Sequence, residues 1–127
     1  MNPNYKIIGE SFVNSYYQLF DTNRAELANF YTADSMMTFE GNQFGGTEAI
    51  KKKLVELPFV TVKHVVTTVD CQPTVQNGVV VYVVGQLKTD NDPPHSFSQC
   101  FLLMYNEQLA SYCVLNDMFR LSLHHHA

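Results

Sequence analysis

Apolar residues recur at helical spacing early in the chain and in alternation through the rest. Ile8, Phe12, Tyr16 and Leu19, widened by Val13 and Phe20, make one stripe. That stripe predicts a helix over 4–21, with Pro3 at its start where a missing N–H costs little. Asp21-Thr22-Asn23 breaks it, and 24–31 predicts a second, short helix. Residues 35–44 predict a hairpin turning at Gly41-Asn42. A third helix opens at Gly45-Gly46-Thr47. It turns Ile50, Leu54 and Leu57 inward and Lys51, Lys52, Lys53 and Glu56 outward, and Pro58 ends it.

Beyond Val60 the pattern is that of strands, over 61–73, 78–89, 96–105 and 109–123. Gln76-Asn77-Gly78, Asp90 to Pro94 and Asn106-Glu107 supply the turns. Helices first and strands afterwards predict an α+β fold with an antiparallel sheet. These strands are far longer than the usual ~5–6 residues, so the sheet must coil. Gly85 in mid-strand marks a bend or bulge. A sheet curled around the first helix makes a cone with a pocket at its open end. Both strand faces are apolar, since Val79, Val81 and Val83 alternate with Val80, Tyr82 and Val84. Three helices cover only one face, and the other predicts a sheet-to-sheet homodimer.

The 127 residues suit a single domain over 1–127. Eight basic against twelve acidic residues give a net charge of -4, which disfavours nucleic acid and suits a basic protein partner. No basic leader with an apolar run opens the chain, and no stretch nears the ~20 apolar residues that span a bilayer. Cys71, Cys100 and Cys113 are odd in number and embedded in apolar strands, as small hydrophobes of a reducing compartment would be. These features predict a soluble intracellular protein.

Candidate chemistry is sparse. Gly41 and Gly46 have the spacing of a phosphate loop, but Thr47 follows directly and the lysine is missing. No CxxC, HExxH or GxSxG motif occurs, and the His124–His126 run reads as a frayed end or a tag remnant. Neither a cofactor nor a metal is expected. What remains near the predicted open end is Glu40, His64, Asp90 and Asp92. Singly they read as solvated turn residues and a sheet histidine. Together, beside aromatics, they suit a lysine- or arginine-bearing partner.

Several blocks carry a more specific signal: Tyr16-Tyr17-Gln18-Leu19-Phe20-Asp21, Glu40-Gly41-x-Gln43-Phe44, Leu57-Pro58-Phe59, Gln72-Pro73-Thr74, Val83 to Lys88, Asp90-x-Asp92-Pro93 and Asn116 to Leu121. With these the chain resembles the nuclear transport factor 2 family nearly end to end. The resemblance implies a cystatin-like cone, three helices in the concavity of a strongly bent antiparallel sheet, dimerised sheet to sheet. It implies binding of the GTPase Ran in its GDP form, with an aromatic of the GTPase in the mouth and basic residues on the rim. By position, the rim is Glu40, Asp90 and Asp92 with His64 alongside, and the lining is Phe39, Leu57, Val62 and Met118. A second implied site takes FxFG repeats of nucleoporins, with Tyr5 and Asp21 at the matching positions. Tyr5 and Phe39 stand where animal members carry tryptophan, so altered affinity is expected there. The implied location is cytoplasm and nucleus, enriched at the nuclear pore, without membrane insertion.

Two alternatives share the cone. One is an isomerase or dehydratase using Tyr82 and His64 with Glu40 or Asp92 as base. Rim turns would keep those carboxylates solvated and poorly tuned. The other is an accessory domain of messenger-RNA export, less consistent with a match to a stand-alone factor.

Overall fold

The computed structural model describes residues 1–122; Leu123 and the His124–His126 run lie outside the described residues. Helix α1 spans Tyr5–Thr22 and buries Gly9, Phe12, Val13, Tyr16, Tyr17 and Phe20, the stripe that helical spacing dictates. The expected second, short helix follows as a 3₁₀ segment, Arg24–Phe30. Strands β1 (Tyr31–Phe39) and β2 (Asn42–Gly45) form a hairpin. Its turn is Glu40-Gly41, one residue earlier than expected, with φ of 50° and 86°. Two positive φ values in succession match the right-handed strand twist, and glycine accepts one without strain. Helix α2 is short, Thr47–Val55, and stops before Pro58.

Four long strands complete the chain: β3 (Val62–Pro73), β4 (Val79–Thr89), β5 (His95–Asn106) and β6 (Ser111–Leu121). They form an antiparallel meander, but β6 then pairs in parallel with β1. The sheet order is β2-β1-β6-β5-β4-β3, so the sheet is mixed and not purely antiparallel. Joining β1 to the free edge of β6 leaves the short β2 as the outer edge there, which limits exposed ladder groups.

The bend has a local cause. The β3–β4 register slips between Val66 and Thr68, opposite Gly85. A Cβ on Gly85 would sit 2.4 Å from the Val65 carbonyl oxygen, so only glycine lets β3 fold over this point. Gly9 does the same for the helix, where a Cβ would meet Cys71 Sγ at 2.4 Å. Thus α1 lies close across β3 and β4, while α2 packs on the 3₁₀ segment and the β1–β2 hairpin.

Alternation sorts the strands cleanly. Phe97, Gln99, Phe101 and Leu103 on β5 are buried beneath the helices, as are Val79, Val81 and Val83 on β4. The opposite face carries Val80, Tyr82, Val84, Cys100, Leu102 and Met104 with Met36 and Met118 at its flank. Among the described residues of the single chain nothing covers this face, and Tyr82 and Met118 are 45% and 54% exposed. The three cysteines are free thiols. Burial pushes all three up from the ordinary thiol value, which keeps them unreactive.

Inside the core, five polar side chains link helix to sheet. Tyr16 and Tyr31 share a hydroxyl hydrogen bond of 3.0 Å, and Tyr31 donates to Asp117 Oδ2 at 2.7 Å. Gln99 Nε2 donates to Asp117 Oδ1 at 2.8 Å, and Gln99 Oε1 accepts from the Tyr17 hydroxyl at 2.7 Å. Because Tyr16 and Tyr17 are neighbours on α1, the network fastens that helix to β1, β5 and β6. Burial raises the Asp117 carboxyl to about 6, against the bonds from Gln99 and Tyr31 that favour its ionised form.

Candidate functional site

The open end of the cone holds a cavity of about 290 Å³. Each surrounding element contributes its end: Phe20 from α1, Phe39 from β1, Val62 and His64 from β3, Leu87 and Thr89 from β4, Phe119 and Leu121 from β6. The 57–59 segment, Asp92 and His95 complete the wall. Phe39 stacks on Phe119 at 4.6 Å between centroids with 13° between planes, and Lys53 Nζ lies 5.1 Å from the Phe39 ring centre. The walls are thus largely apolar and aromatic, with charge confined to the edge.

Phe39, Leu57, Val62, His64 and Asp92 are brought together in this cavity. Met118 is not. It pairs with Cys100 and Thr38 on the uncovered face, because inward positions of β6 here are Asp117, Phe119 and Leu121. Phe119 takes the place assigned to Met118, and alternation from the buried Phe97 across the ladder identifies it. Phe20, Phe59, Leu87 and His95 are further lining residues.

The acidic residues differ in what they are free to do. Glu40 adjoins the cavity without lining it, and its Oε1 accepts the Leu121 N–H. Asp90 also stands off the wall, at a turn with φ of 47°. Its Oδ1 accepts from the Val60 N–H at 3.1 Å, the Thr61 N–H at 2.9 Å and the Thr61 hydroxyl at 3.2 Å. The Thr61 N–H is the main influence holding its carboxyl below the ordinary value. Asp92 lines the cavity, and its carboxylate has no hydrogen-bond partner among the described residues.

His64 is anchored from outside the cavity. Its side chain is 2% exposed, and its Nδ1 meets Asp21 Oδ1 at 2.6 Å. The Asp21 Oδ2 accepts the His64 backbone N–H at 2.9 Å. Tyr17, Phe20 and Phe97 surround the ring. Asp21 therefore secures the end of α1 to β3, a contact between residues 43 apart that spacing does not reveal. It also separates Asp21 from Tyr5. Sixteen residues of helix place them about 24 Å apart along α1, so one chain does not bring them into a compact site. Tyr5 lies instead on a polar groove with Lys6, Glu10 and Asp70.

Catalysis by Tyr82 with His64 fails on geometry. Tyr82 is on the uncovered face, whereas His64, opposite Leu87, faces inward. Among the described residues no group of histidine, cysteine and carboxylate side chains could hold a metal ion, and no helix is long and apolar enough to cross a membrane.

A family model described as the nuclear transport factor 2 (NTF2) domain matches residues 8–121. The nuclear transport factor 2 of Schizosaccharomyces pombe is 44% identical over 120 residues, which cover 93% of this chain and 96% of that protein. That of Oryza sativa subsp. japonica is 47% identical over 117 residues, covering 91% and 94%. The solved structure of nuclear transport factor 2 from Cryptosporidium parvum superposes with a TM-score of 0.92 at 42% identity, covering 96% of this chain and 98% of that one. The chain belongs to the nuclear transport factor 2 family, among transport factors and not enzymes.

Proposed function

We propose that this protein is a nuclear transport factor that carries the GDP-bound GTPase Ran into the nucleus. The observation that carries the reading is an apolar cavity of about 290 Å³ with Asp92 at its edge. An aromatic side chain of the GTPase enters between Phe39, Leu57, Val62 and Phe119, and a neighbouring basic residue pairs with Asp92. An aromatic anchor in a dry pocket beside a charge pair is how interfaces concentrate affinity. Glu40 and Asp90 add negative potential around the mouth, consistent with the net charge of -4. Selection of the GDP form follows if the GTPase presents that aromatic differently in its two nucleotide states.

Two further contacts complete the reading. The uncovered sheet face, with Val80, Tyr82, Val84, Leu102 and Met118, meets the same face of a second copy. FxFG repeats of nucleoporins dock weakly at the groove beside Tyr5, which enriches the dimer at the nuclear pore as it shuttles between cytoplasm and nucleus. Asp21, bonded to His64 at the other end of α1, does not reach this groove.

The test is Asp92→Lys in a binding assay with purified Ran-GDP. Charge reversal at this rim carboxylate should reduce capture at least about tenfold, since like charges across an interface cost several kcal/mol. Undiminished capture by a folded variant contradicts the assignment of the mouth.

A further inference from the structure

Lys51, Lys52 and Lys53 follow one another on α2, yet only the third is drawn in beneath the helix. Lys51 and Lys52 are exposed, whereas Lys53 is half-buried. Helical spacing is the reason, since Lys53 follows the buried Ile50 by three residues and precedes the buried Leu54. Beneath α2 lies the β1–β2 hairpin, on which Phe39 and Phe44 are diagonal neighbours of one face. Lys53 Nζ stands over both rings, 5.1 Å from the centre of Phe39 and 5.6 Å from that of Phe44. It forms no salt bridge among the described residues. A cation within about 6 Å of a ring centre is drawn to its face by the ring quadrupole.

Phe39 is the outermost of three nearly parallel rings along one side of the cavity. It stacks on Phe119 at 4.6 Å and 13°, and Phe119 on Phe97 at 5.8 Å and 24°. Phe97 is fully buried and fixes the inner end of the row. The outer end has no such anchor, because Phe39 is only half-buried. We propose that Lys53 is a positioning residue: its ammonium, seated over Phe39 and Phe44, holds the Phe39 ring against Phe119 and so keeps the cavity wall in the form that a partner's aromatic side chain meets. The inference rests on the reading of this cavity as the socket for that side chain.

Electrostatics and positioning make opposite demands here, which renders them separable. Removing a lysine makes the net charge of -4 more negative, and by itself that favours a basic partner. If Lys53 holds Phe39, its removal weakens binding despite the more favourable charge. Lys53→Met keeps an unbranched apolar stem and deletes the cation. Lys53→Arg retains a cation that stacks on aromatic faces. Lys52→Met deletes the same charge one position away, on the exposed side of α2. Each variant is measured twice: by binding of the GDP-bound GTPase to the full chain, and by nuclear Overhauser contacts between the Phe39 and Phe119 rings in the free protein.

Lys53→Met should weaken binding about three- to tenfold, the range of a half-buried cation–π contact, and should diminish the Phe39–Phe119 ring contacts. Lys53→Arg should restore both. Lys52→Met should leave the ring contacts intact and bind as wild type does, or slightly tighter. Binding by Lys53→Met that is unchanged or tighter than wild type overturns the proposal, because the lysine then acts through charge alone. Equal losses in Lys52→Met and Lys53→Met overturn it as well, since Lys52 does not touch the rings. Ring contacts that persist undiminished in Lys53→Met overturn it whatever the binding shows. If wild type does not bind the GTPase, the socket reading falls, and the ring contacts alone decide whether Lys53 positions Phe39.

Discussion

Asp117 offers a sharp test of the core, because its cost to the fold is tied to pH. The carboxyl is 1% exposed, and burial moves it from 3.8 to about 6. The folded state therefore binds its proton more tightly than the unfolded chain does. Between pH 4 and 6 the unfolded chain releases that proton while the folded state keeps it, so stability falls as pH rises through this window. Below pH 4 the contribution vanishes, and above pH 6 the full cost remains, about 3 kcal/mol at pH 7. Asp117→Asn is isosteric and neutral. Its Oδ1 still accepts from Gln99, and its amide can donate to Tyr31, whose hydroxyl turns to Tyr16. The variant should match wild type near pH 4 and exceed it by up to about 3 kcal/mol at pH 7. Urea unfolding from pH 4 to 8 measures this, followed by tyrosine fluorescence since the chain has no tryptophan, at one protein concentration because self-association shifts apparent stability. The difference between the two profiles isolates this group. A flat difference across pH 4 to 6, or an Asp117→Asn protein less stable than wild type at pH 7, refutes the reasoning.

Gly85→Ala should cost about 1–3 kcal/mol in thermal or urea unfolding, since its Cβ would meet the Val65 carbonyl and the Phe97 ring, neither of which can yield cheaply. Tyr82→Asp, on the uncovered face and remote from the cavity, should convert a species near 29 kDa (2 × 14.5) to one of 14.5 kDa in light scattering while leaving the fold intact.

Much of this architecture follows from patterns a few residues long. The stripe from Phe12 to Phe20 specifies α1, and alternation from Val79 to Val84 specifies both the buried and the uncovered face of β4. Gly85 announces the bend, although the extra residue itself lies across from it on β3. Relations over long separations are another matter. Nothing in the composition of β1 tells that it pairs in parallel with β6, because either edge of the meander could accept it. The bonds that Asp90 accepts from Val60 and Thr61, and that Tyr31 donates to Asp117, join residues 30, 29 and 86 apart and exist only once the sheet has closed. The family resemblance assigns Met118 to the cavity, whereas the pleat of β6 sends it to the opposite face and gives its place to Phe119.

The central claim is that the cone mouth recognises one nucleotide state of a GTPase. Its most direct test is capture of purified Ran loaded with GDP or with a non-hydrolysable GTP analogue by the immobilised wild-type chain, at matched concentrations. Retention of the GDP form alone is the predicted result. Equal retention of both forms, or of neither, contradicts the account.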